Sequence, residues 1–185
     1  MRLLLLFLAL LRPARSTPTA KRVRLNLPTV RYAHLLNRSG PHGMPRLNVS
    51  KVDYADVITV AHDAVVLENE FLKVTLLPAL GRVYRIEDKD TGHDLLWRNR
   101  IAAPGGANND LGWWLWIGGI EYTLPGQEHG FTWALRWDWR ILSGSTAAAV
   151  TTSVVEPTTG MVETLTFSLA PGSISLDTRV RLHNP

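Results

Sequence analysis

Between Gly112 and Gly130 lie the residues whose types and spacing could do chemistry. Trp113, Trp114 and Trp116 stand beside the pair Gly118-Gly119, and Glu121, Tyr122, Gln127, Glu128 and His129 follow closely. A sugar presents apolar C–H faces and a ring of hydroxyls. A site for it therefore needs an aromatic platform and a few fixed carboxylate, amide and imidazole groups. Glycines would let the backbone approach such a ligand. Glu121 sits between Ile120 and Tyr122 on an alternating segment, where an inward carboxylate is costly unless it meets a ligand or a partner. His129 carries the side chain that titrates near neutrality, suited to act as an acid or a hydrogen-bond donor. Anomeric epimerisation needs an acid and a base together, and nothing in the spacing of Glu121 and His129 demands that they pair. Trp133, Trp137 and Trp139 read as core. Trp113 and Trp114 are adjacent, so on a strand only one of them can point inward.

Other chemistries are excluded. The chain of 185 residues has no cysteine, which rules out a disulfide framework, thiolate metal sites and a thiol nucleophile. Its histidines (His34, His42, His62, His93, His129 and His183) are isolated, so no metal and no cofactor is expected. Pro104-Gly105-Gly106 lacks the Lys-Ser/Thr of a phosphate loop. The formal charge of +4 joins two unlike parts. Up to Val52 there are ten Lys/Arg and no Asp or Glu, whereas from Asp53 onward ten basic residues face sixteen acidic ones. The body is mildly acidic, so no nucleic-acid partner is expected. No apolar run approaches the roughly 20 residues of a membrane-spanning helix, so no membrane span is expected either.

The elements that must position these residues are strands. Phe131, Trp133, Leu135, Trp137, Trp139 and Ile141 alternate with small or polar residues, which predicts one half-buried strand over 131–141. Ile174, Leu176, Thr178, Val180 and Leu182 predict a second, again with one buried face. Residues 161–169 alternate less strictly, and 146–156, rich in Val, Thr and Ala, is expected to pair with them. Asp90-Thr91-Gly92, Pro157-Thr158-Thr159-Gly160 and Pro171-Gly172 supply turns at hairpin spacing. No stretch is convincingly an amphipathic helix. The pattern predicts an all-β antiparallel sandwich.

Three blocks in order carry a resemblance. The first is Leu67-Glu68-Asn69-Glu70-Phe71-Leu72-Lys73-Val74-Thr75-Leu76-Leu77-Pro78-Ala79-Leu80-Gly81-Arg82-Val83. The second is Asp88-Lys89-Asp90-Thr91-Gly92-His93-Asp94-Leu95-Leu96-Trp97-Arg98-Asn99, and the third Gly118-Gly119-Ile120-Glu121-Tyr122-Thr123-Leu124-Pro125. Together they resemble galactose-mutarotase-like domains, and within them a bacterial family of unknown function often attached to tetratricopeptide repeats. The resemblance implies a β-supersandwich, carbohydrate as partner and a tetratricopeptide-repeat neighbour. It also implies a full domain about twice this long, so that the chain stops on a strand after the first half. It further implies Arg82 as a sugar-site residue; Arg98 and Asn99, which close a turn, are expected to reach the same cleft. Where the family carries two glycines before this arginine, the chain has Gly81 alone. Either the loop is shortened or Arg82 is aimed elsewhere.

The resulting expectation is a carbohydrate-binding domain, with Arg82, Trp113, Trp114, Trp116, Glu121 and His129 as its site. The alternatives are part of a sugar-active enzyme (aldose 1-epimerase-like or glycosidase-associated) with its catalytic base elsewhere, or a structural sandwich beside repeats. Residues 1–16 read as a signal peptide or a misassigned start, 17–60 as a basic lead-in or linker with a first strand near 57–61, and 61–185 as the sandwich. The protein is exported if 1–16 is a signal and cytoplasmic otherwise. Asn37-Arg38-Ser39 and Asn48-Val49-Ser50 match the glycosylation sequon.

Overall fold

A computed structural model describes residues 16–126, 128–142, 144 and 147–185. The signal-like residues 1–15, Gln127 and Thr146 lie outside the described residues. The described chain is all-β, with eleven strands in two sheets and no α-helix among the described residues. The strands are β1 (Thr19–Val30), β2 (Val57–Glu68), β3 (Leu72–Leu77), β4 (Arg82–Asp88), β5 (Arg98–Gly106) and β6 (Trp113–Gly118), followed by β7 (Ile120–Glu121), β8 (Asp138–Leu142), β9 (Ala148–Val155), β10 (Val162–Leu169) and β11 (Asp177–His183). One sheet runs β6-β5-β1-β2-β3-β4-β7 and the other β11-β10-β9-β8. Strands β6 and β7 are opposite edges of the larger sheet, yet only Gly119 separates them in the chain. That sheet must therefore curl until its edges meet.

The lead-in is not a linker. Strand β1 pairs antiparallel with β2 along its whole length, from Thr19 opposite Glu68 to Val30 opposite Val57. Its alternation of Val23, Leu25 and Leu27 is short, interrupted by Pro28 and set among arginines, which hides it in the sequence. Those arginines have a use. Arg22 and Arg24 both bind Asp63 on β2, at 3.0 and 2.7 Å, and Arg31 binds Asp56 at 3.0 Å. Leu27, Val30, Met44, Leu47 and Val52 join one core cluster with Trp113, Leu115, Ile117, Phe131 and Trp133. The two sequons fold as local turns, Asn37 and Asn48 each accepting the backbone N–H two residues on at 3.1 Å.

A second cluster fills the space between the sheets. Val65, Leu67, Val74, Leu76 and Val83 meet Val150, Val154, Leu165, Phe167 and Leu169 there, with Trp137 at their centre. The expected pairing of 146–156 with 161–169 is present as β9 and β10, in register from Val155 opposite Val162 to Ala148 opposite Leu169.

The expected strand over 131–141 is broken. Phe131, Trp133 and Trp137 are all buried, but Thr132–Ala134 is a 3-10 turn and the strand begins at Asp138. Phe131 and Trp133 belong to the first cluster and Trp137 to the second. The alternating pattern belongs to a segment crossing between the two cores, with Trp137 N–H bound to the Ala79 carbonyl at 3.0 Å. The expected buried face over 174–182 is largely absent, with Leu176 packing partly against the second cluster. Strand β11 pairs with β10, yet Ile174, Val180 and Leu182 are exposed, because no described element packs over them.

Candidate functional site

Strand β4 reaches the site through a conformational repair. Pro78–Leu80 forms a 3-10 turn closed by Gly81 in the left-handed region (φ 57°), and a Cβ on Gly81 would lie 2.6 Å from the Trp137 ring. The β3–β4 register then shifts, Thr75 facing Arg85 but Leu76 facing Val83, so Tyr84 is the extra residue of a bulge. Gly81 and this bulge flank Arg82 and Val83, and Arg82 points to the site.

Arg82 stands opposite Glu121 in the short β4–β7 ladder. Its guanidinium forms an ion pair with Glu121 Oε2 and donates to the Gly118 carbonyl at 2.7 Å. Burial holds the Arg82 pKa below the usual guanidinium range, while the Glu121 charge opposes that shift. Trp114 Nε1 donates to the same Glu121 Oε2 at 2.9 Å. Glu121 Oε1 faces His129 Nδ1 at 3.4 Å. The His129 ring stacks on Trp114, with centroids 3.7 Å apart and planes 14° from parallel, and Trp114 in turn tilts against Trp116 at 4.6 Å. His129 has φ 57°, rare for a residue with a side chain, and its carbonyl accepts from the Thr123 hydroxyl at 2.8 Å. One contiguous cluster therefore joins Arg82, Trp114, Trp116, Glu121 and His129, and the Arg82–Glu121 pair leaves it close to neutral. Trp116 presents the accessible ring at 45% exposure. It lies over Gly105, where a Cβ would come within 2.3 Å of its indole nitrogen.

Some expected members fall elsewhere. Trp113 is buried, with Nε1 bound to the Pro45 carbonyl at 3.0 Å and its ring packed edge-on against Trp133, so it is core and not platform. Gly118 and Gly119 do not serve ligand approach. A Cβ on Gly118 would meet the Arg98 backbone at 2.5 Å, and one on Gly119 the Val83 carbonyl at 2.2 Å, so these glycines let the curled sheet close on itself. Asn99 supports the platform by donating to the Trp116 carbonyl at 2.8 Å, whereas Arg98 pairs with Asp94. Glu128 accepts from Asn108 N–H at 2.9 Å, and Tyr122 turns to Phe167 between the sheets. Sequence reasoning missed that the partner of the Glu121 carboxylate is Arg82. Two residues of opposite charge, in the first and third motif blocks, were the available signal.

Among solved structures, the chain is similar to a TPR-domain containing protein from Parabacteroides distasonis ATCC 8503, with a TM-score of 0.76 at 21% identity. The likeness covers 93% of this chain and 30% of that one, so the chain spans under a third of that protein's length and shares its fold over that part. A family model described as "Domain of unknown function (DUF5107)" matches residues 49–185, and the chain belongs to that family.

Proposed function

We propose that this is a carbohydrate-binding sandwich module of the galactose-mutarotase-like type. Its ligand would stack on Trp116, with hydrogen-bonding groups supplied by Glu121 Oε1 and His129. The observation that carries this reading is an exposed indole fixed against a stacked Trp114–His129 pair and a nearly buried carboxylate whose charge is paired with Arg82. Such a set suits a neutral, hydroxyl-rich ligand with an apolar face. The module reading extends to a tetratricopeptide-repeat neighbour, because the similar Parabacteroides protein contains a TPR domain. A second reading, a sugar-active enzyme part, draws on the 3.4 Å approach of His129 to Glu121 as an acid–base couple.

Screening on a glycan array, followed by titration of the hits, tests the proposal. Trp116→Ala removes the stacking face and is expected to weaken binding about tenfold, while moving stability by no more than about 0.5 kcal/mol. Hits absent altogether, or Trp116→Ala binding like wild type, would sink the reading. Anomer exchange measured on the hits decides between binding and turnover.

A further inference from the structure

A cavity lies away from Trp116, between the loop over 36–46 and the segment that crosses between the cores. It has a volume of about 590 Å³, within the range of small-molecule sites. Its apolar wall comes from Leu36, Met44, Leu135 and Val155. Val155 is 55% exposed, a large apolar side chain with no described cover. The charged side chains lining the cavity are Arg38 and Arg136, and no Asp or Glu lines it. Neither arginine makes an ion pair among the described residues. The adjacent Glu156 does not line the cavity and pairs with neither arginine; its carboxylate accepts from Thr158 N–H at 2.8 Å and Thr159 N–H at 2.7 Å inside its own turn.

The walls are anchored. Asn37 and Arg46 exchange backbone hydrogen bonds at 3.0 and 2.8 Å, closing the base of the loop. Met44 and Leu47 are buried in the first core cluster, and Arg46 donates to the Asp110 carbonyl at 3.0 and 2.7 Å. At the tip, His42 holds φ 52°, a left-handed posture uncommon for a residue with a side chain. A fixed apolar cavity with only cations among its charged lining groups is complementary to a molecule with an apolar body and one anionic head. The cavity joins Arg38 of the basic lead-in to Arg136 of the acidic body.

We propose that this cavity binds a small carboxylate with an apolar body, its head held by Arg38 and Arg136 and its body against Leu135 and Val155. The site is independent of the carbohydrate site. The test uses 2-naphthoate as probe and its uncharged amide as control, followed by calorimetry on the whole chain. Naphthoate is expected to bind about tenfold or more tightly than the amide. Arg38→Gln and Arg136→Gln should each weaken it about tenfold, the scale of one charge-assisted hydrogen bond. Val155→Trp, at an exposed position, should block binding while circular dichroism stays unchanged. Trp116→Ala should leave naphthoate binding as it is. Equal binding of acid and amide, indifference to both arginine substitutions, loss of binding in Trp116→Ala, or no binding at millimolar probe would each overturn the proposal. Naphthoate binding without any glycan hit would reject the carbohydrate reading alone.

Discussion

Glu121 and Glu163 are both glutamates set among apolar neighbours on strands, and both are largely withdrawn from water, but they live in opposite surroundings. Glu121, at the closing edge of the curled seven-stranded sheet, is met by Arg82, by the Trp114 indole N–H and by His129. Glu163, on the inner face of the four-stranded sheet, has its Oε2 buried with no hydrogen-bond partner, and burial pushes its pKa up to about 6. The pattern of the sequence marks Glu121 as odd and passes over Glu163, and only the partner decides what each does. Paired, the carboxylate fixes a cluster that can serve a ligand. Unpaired, it is a local cost that the rest of the core must offset.

That contrast breaks most visibly at Glu121. Glu121→Ala leaves the Arg82 guanidinium buried without its counter-charge, and a loss of about 3–5 kcal/mol is expected by urea unfolding. Glu121→Gln keeps an acceptor for Trp114 and should lose less. If the alanine variant loses under about 1 kcal/mol, solvent reaches Arg82 and the pair is not the buried one described here.

Removing an apolar neighbour separates the price of an unpaired charge from that of a hole. Leu27→Ala opens the cluster beneath the seven-stranded sheet without stranding a charge, and about 2–4 kcal/mol is expected by the same measurement. A value within about 0.5 kcal/mol of wild type would mean that the lead-in is loosely attached after all.

Leu27 also shows where legibility ends. The all-β class and the β9–β10 hairpin were readable because period-two patterns there are long and bounded by turn residues. Strand β1 was not, because Pro28 and the arginines break its pattern, and its reasons for folding, the ladder with β2 and the burial of Leu27 and Val30, are contacts with residues distant in the chain. The alternation around Trp133 and Trp137 was read correctly as burial and wrongly as one strand, since alternation reports which side chains go inward and not into which core. Within the site, Glu121 and His129 were legible as polar residues in an apolar and aromatic setting. The core position of Trp113 and the chain-packing role of Gly118-Gly119 were not, because both depend on how far the sheet curls.

The smallest expected effect is also the one with an inverted sign. In the unfolded chain Glu163 titrates near 4.5, and in the fold burial raises it to about 6, so the folded state binds more protons between those values. Stability contributed by this residue is therefore present below about pH 4.5, falls as pH rises through the window to about 6, and stays lost above it, on the order of 2 kcal/mol in all. Glu163→Gln has no such titration. It should match wild type near pH 4, where both side chains are neutral, and exceed it by about 1–2 kcal/mol at pH 7. Glu68 and Glu156 pull the other way: hydrogen bonds from Lys89 and from the Thr158–Thr159 turn hold their pKa values low, so their contributions weaken as pH falls. Those background terms are common to both proteins and cancel in the difference between variant and wild type. Urea midpoints at the two pH values supply that difference. A variant no more stable than wild type at pH 7 would show that the Glu163 carboxylate finds a cation or water in solution, and the contrast with Glu121 would then be one of degree only.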